Sequence, residues 1–205
     1  MKSVLKVVAL LAAFVVVGGL IVFVYLLGTG LKARPEPGAI ETFAARTTRK
    51  LVIGWHARNH VNPVPVSYEA IVDGRAHFAD HCASCHANDG SGDTEMGRGL
   101  YPKAPDIRLP ATQNLSDGEL FYIIENGIRL TGMPAWGTDT KAGEESSWRL
   151  VHFIRHLPRI TPEEIEQMEA MNPRLPEEIR QEIEAERFLQ GGDSAAVEEP
   201  QPHGH

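Results

Sequence analysis

Two cysteines and a histidine, Cys82, Cys85 and His86, constrain this chain more than any other feature: the cysteines are the only two present, and the histidine follows the second at once. On a helix, residues i, i+3 and i+4 share one face, so both thiols and the imidazole are presented together. A thioredoxin-like redox pair would place Cys-x-x-Cys at the start of a helix after a strand, whereas the flanks here read as helical. A structural zinc site needs four ligands at paired spacings. With no second cysteine pair, His77 or His81 would have to complete a cramped set. A disulfide across two intervening residues is strained and stabilises little.

Covalent haem attachment suits the pattern. Both thiols bond to the vinyl groups of one haem, and the imidazole of His86 reaches the iron from the same side. One Cys-x-x-Cys-His predicts one haem c. His77, His81, His152 and His156 are scattered over predicted helices and read as surface or core histidines.

Hydropathy and charge divide the rest of the chain. Residues 7–27 carry no charged side chain, and a helix of that length rises about 30 Å, the thickness of a bilayer core. The segment 1–27 reads as an uncleaved signal anchor, its rivals being a core helix and a signal peptide cut between Gly28 and Ala33. Lys2 and Lys6 precede the span and Lys32 and Arg34 follow it, so the positive-inside rule barely orients it. Residues 28–66 read as a linker, with a Gly/Pro hinge at Gly28, Gly30, Pro35, Pro37 and Gly38 and a Pro-rich end at Asn62-Pro63-Val64-Pro65. The linker holds six basic and two acidic residues. Its middle, from Ala39 to about His56, reads either as a basic helix lying on anionic headgroups or as a solvated helix packed on its own protein. His56 and His60 have metal-ligand spacing but no third ligand nearby, and read as structural.

An all-α plan follows. Ser67 caps a helix from about Tyr68 to Cys85, with Ile71, Gly74, Phe78, Cys82 and Cys85 as its buried stripe. Residues 88–110 are rich in Gly, Asp and Pro and read as a loop. Ser116-Asp117-Gly118-Glu119 has capping-box spacing, and the helix it starts ends near Asn126-Gly127. A third helix runs from about Glu144 to Leu157, stopping at Pro158 and burying Trp148, Val151, Phe153 and Ile154.

With these residues in place, positions 67–160 resemble a class I cytochrome c. The likeness lies in an N-terminal helix ending in Cys-x-x-Cys-His, a proline-containing loop, a middle helix, the loop Gly132-Met133-Pro134-Ala135-Trp136 and a C-terminal aromatic helix. The resemblance implies Met133 as the axial ligand opposite His86. Met96 is a poorer choice, ten residues beyond His86 in a Gly-rich loop, and Met168 and Met171 fall beyond the domain. It also implies that a carbonyl of Pro105 or Ala104 orients His86, and that Gly74 and Phe78 cross Phe153 or Trp148. His/Met ligation fills both axial positions and favours Fe(II), an electron-transfer site rather than a substrate site. Haem attachment of this kind in bacteria takes place outside the inner membrane, so the resemblance places the domain in the periplasm, with redox proteins as donor and acceptor. The alternatives are a noncatalytic subunit of a larger respiratory complex or dehydrogenase and, if Met133 does not ligate, a haem enzyme or gas sensor. No basic patch interleaved with aromatics points to nucleic acid.

Residues 161–205 hold twelve acidic and three basic side chains, outweighing the net charge of −7 for the whole chain. Thr161-Pro162-Glu163-Glu164 is a capping box with proline at the first helical position, and a second acidic helix is expected to begin near Pro176 or Glu177 and end before Gly191-Gly192. This acidic helical extension reads as a solvated appendage or a dock for a basic redox partner. Because Pro158 closes the third helix, removal of everything after Arg159 is expected to leave the haem fold intact. The tail from Pro200 to His205 reads as disordered, and His203 and His205 are poor metal ligands.

Overall fold

A computed structural model of the chain describes residues 2–30, 32–33, 35–174 and 176–189. The expected disorder at 200–205 lies outside these residues. Every regular element among them is helical. Helix α1 (Lys2–Thr29) is apolar, and the stretch Val4–Gly28 is long and apolar enough to cross a membrane. Helix α2 (Ala39–Ala57) follows the hinge.

Helix α3 (Tyr68–His77) begins where the Ser67 hydroxyl accepts the Ala70 N–H at 3.1 Å. It crosses α8 (Lys141–His156) at Gly74, where an added Cβ would overlap the Arg149 carbonyl and press on Phe153. Glycine there permits backbone to meet backbone. Phe78 and Phe153 then meet with ring centroids 5.2 Å apart, so Phe153 is the crossing partner, while Trp148 stacks on Phe121 at 4.0 Å. Both phenylalanines are buried with Leu150, Val151 and Leu157 in the core.

The expected unbroken helix to Cys85 is corrected. Residues Phe78–Cys82 form a π-helical turn in which the Ala83 N–H donates to the Phe78 carbonyl, and α-geometry resumes in α4 (Ala83–His86). The inserted residue turns everything after it by about 100°. Short helices α5 (Glu95–Gly99) and α6 (Pro110–Gln113) punctuate the loop that follows. Helix α7 (Asp117–Asn126) carries the expected capping box, with Glu119 N–H to Ser116 Oγ at 3.1 Å and Ser116 N–H to Glu119 Oε2 at 2.7 Å. Helix α8 starts earlier than expected because Thr140 accepts the Gly143 N–H.

Beyond a 3₁₀ turn at Leu157–Arg159, α9 (Pro162–Glu169) has its capping box and N1 proline, and α10 (Pro176–Leu189) follows. Here a second expectation fails, because α9 is no appendage. Met168 is 0% exposed within the core cluster, and Glu164 accepts from the buried Arg75 at 3.3 Å and pairs with His156 at 2.9 Å. With its amide oriented by its partners, Asn172 reaches the Ala79 carbonyl at 3.1 Å and Asn88 at 2.9 Å, tying the end of α9 to both flanks of the cysteine motif.

Candidate haem site

The π turn and helix α4 together deliver Cys82, Cys85 and His86 to one cleft of about 1170 Å³, counting its open mouth. The loop after α4 folds back onto it. The Thr94 hydroxyl donates to the Ser84 carbonyl at 2.8 Å and the Cys85 carbonyl at 3.2 Å, and the Gly92 N–H donates to the His86 carbonyl at 2.8 Å. These bonds satisfy carbonyls that a helix end leaves open, and they fix the motif's direction.

Met133 lines the same cleft. Its loop hangs from the end of α7. The Ile128 N–H donates to the Met133 carbonyl at 3.1 Å, the Met133 N–H to Thr131 Oγ1 at 3.1 Å, and the Trp136 N–H to the Ile124 carbonyl at 3.0 Å. Met96 is 57% exposed on α5 and lies off the cleft. Most of the remaining lining is apolar, including Phe78, Leu100, Ile107, Leu120, Ile124 and Leu150.

The electrostatics suit an apolar cofactor with a coordinating imidazole. Burial lowers the pKa of His86, and the Pro105 backbone offsets this only in part, while the buried Nδ1 has no hydrogen-bond partner among the described residues. The ring is therefore neutral at neutral pH, the form that ligates a metal. Burial, and secondarily the Cys85 thiol, push the Cys82 thiol up to about 12. Among the described residues, no three His, Cys, Asp or Glu side chains are grouped so as to hold a metal ion.

The scattered histidines have packing partners. His56 stacks on Tyr122 at 5.6 Å and His60 meets Phe121 at 5.5 Å. His77 bonds Ser146 at 2.8 Å, His152 bonds the Val64 carbonyl at 2.8 Å, and His156 pairs with Glu164. Of the four scattered over the helices, His81 alone also lines the cleft, beside Asp80 and edge-on to Trp136. Sequence reasoning missed Arg49 and Lys103, which line the cleft as well. No motif marks either one, and Arg49 lies in a stretch punctuated like a linker.

Residues 69–154 match the family described as cytochrome c oxidase, cbb3-type, subunit III. No curated protein matches the chain. The matched span runs from the first turn of α3 to near the end of α8 and contains both the cysteine motif and Met133. An apolar cleft with two thiols and a neutral imidazole on its lining fits the cofactor of that family. Residues 69–154 are thus a c-type cytochrome domain, which holds a covalently bound haem with its iron and serves electron transfer.

Proposed function

We propose that the chain is a membrane-tethered electron carrier on the periplasmic side of a bacterial inner membrane, with its haem bonded to Cys82 and Cys85 and its iron ligated by His86 and Met133. The observation that carries this reading is the convergence of all four side chains on one apolar cleft. Bound haem supplies a one-electron iron couple. His86 contributes a neutral imidazole, Met133 a soft sulfur that favours the reduced metal, and the apolar lining excludes water; together these raise the potential. With His86 and Met133 both holding the iron, no coordination position would be left for a substrate.

Met133→Ala tests the ligand set. It should abolish the far-red absorption band of methionine-ligated ferric haem and lower the potential, while Met96→Ala leaves both nearly unchanged. The reverse pattern would reassign the ligand, and carbon monoxide binding to the ferrous wild-type protein would favour the haem enzyme or gas sensor. The description of the matched family favours a second reading, an electron-passing subunit of a larger oxidase. Copurification of partner chains from native membranes separates this from a free tethered carrier.

A further inference from the structure

Helix α2 lies outside the matched residues, yet it forms part of the haem cleft. Its C-terminal half is docked on α7. Ile53 and Ala57 are buried, and Gly118 of α7 leaves room for the Ala57 and His60 carbonyls, which any side chain at 118 would overlap. At the other end Glu41 accepts from the Tyr101 hydroxyl at 2.6 Å, and Glu36 in the hinge pairs with Lys103. Held between these anchors, Arg49 is half-buried and lines the cleft.

Two basic side chains line this otherwise mostly apolar space, and they differ in one respect. Lys103 is matched by Glu36, whereas Arg49 has no ion pair among the described residues. Burial, and then the neighbouring cation Arg46, lower the pKa of Arg49, although a guanidinium stays charged at any ordinary pH. A half-buried cation without a counter-ion, still partly solvated, is open to pair with an incoming anion. Haem brings two propionate carboxylates, and Arg is the side chain best shaped to bind a carboxylate through two hydrogen bonds.

We propose that Arg49 pairs with a haem propionate, so that the helix joining the anchor to the cytochrome domain is itself part of the haem site. The inference rests on the haem and not on Met133. Arg49 neutralises the propionate and keeps it ionised; without Arg49 the bare carboxylate favours ferric iron and takes up a proton more readily on reduction.

The test is the midpoint potential of the haem-loaded full chain in detergent, followed from pH 5 to 9 in wild type, Arg49→Gln, Arg49→Lys and Arg46→Gln. His81 beside Asp80, Lys103 with Glu36, and Arg46 also face or neighbour the cleft, so each variant's profile is compared with wild type. Arg49→Gln should lower the potential at pH 8 and add a rise toward acid pH that wild type lacks. Arg49→Lys should restore most of the difference, and Arg46→Gln should keep the wild-type profile. A wild-type profile in Arg49→Gln, or the same change in Arg46→Gln, would overturn the proposal. Haem staining and the Soret spectrum report separately whether the cofactor is in place. An independent measurement needs no variant. Infrared redox-difference spectra of wild type with ¹³C-labelled haem carboxyls should show ionised propionate at pH 5 on the paired group, and only protonated carboxyls would sink the idea.

Discussion

Gly74 and Glu164 show how single residues hold the site together from outside it. At Gly74 the neighbour is the backbone of α8, which cannot rotate away as a side chain would. Gly74→Ala should therefore cost about 2–3 kcal/mol of stability, read as a lower denaturation midpoint. Glu164 accepts from Arg75, which is 7% exposed and whose Nε has no partner. Burial raises the Glu164 pKa, but His156, the Thr161 N–H and Arg75 outweigh it, and the net shift is downward from 4.5. A carboxyl with a lowered folded-state pKa adds stability that is present above its unfolded value and lost as pH falls through the folded one. The stability gap between wild type and Glu164→Gln should thus be full at pH 6 to 7 and shrink below about pH 4.5. A gap that stays constant down to pH 3 would show that Glu164 acts by packing alone. The cysteine motif and Gly74 were legible because each is a spacing rule. The Arg75–Glu164 pair was not, since 89 residues separate its members and no local pattern links them.

At the scale of elements, caps were the most legible features and registers the least. Ser67, Ser116 and Thr161 each start a helix where their side-chain chemistry says one should begin. The π turn at Phe78–Cys82 left no comparable mark, because one extra residue in a helical ring changes neither composition nor apolar spacing enough to read. The docking of α9 was hidden for a similar reason. Its acidic surface reads as solvated, and its place in the core rests on Met168 at one end and the Asn172 bonds just beyond. Two truncations separate the reading of a solvated appendage from the observed docking. Ending the chain after Arg159 removes Met168 and strands Arg75, at a cost of about 2–5 kcal/mol for the methionine alone. Ending it after Arg174 keeps both. The first should lower the denaturant midpoint followed in the Soret band and loosen the haem environment, whereas the second should match the full chain. Equal midpoints would return α9 to the status of an appendage.

Across the whole molecule, the docking of α2 changes what the segment between α1 and the cysteine motif does. A flexible linker from 28 to 66 would let the domain roam, but α2 is fixed to α7 and to the loop at Tyr101 and Lys103, which leaves the short Gly/Pro hinge before Ala39 as the connection to α1. At most about 3.5 Å per extended residue, that hinge spans roughly 30 Å, and the Glu36–Lys103 pair shortens it further. Ile40, Phe43, Leu51 and Trp55 remain exposed on α2, the element that the hinge joins to α1. The carrier would therefore work against partners at the bilayer surface, provided α1 stays attached. The window Val4–Gly28 is 0% buried within the chain, so its apolar surface needs lipid or removal. If it is retained, the mature protein should begin at or near Met1 and stay with membranes through high-salt washing, which strips electrostatic binders but not an inserted helix. A mature N-terminus beyond Ala33 in a soluble periplasmic fraction would show instead that α1 is a signal peptide. The haem domain would then diffuse freely, and α2 would keep its place in the haem cleft without serving as a tether.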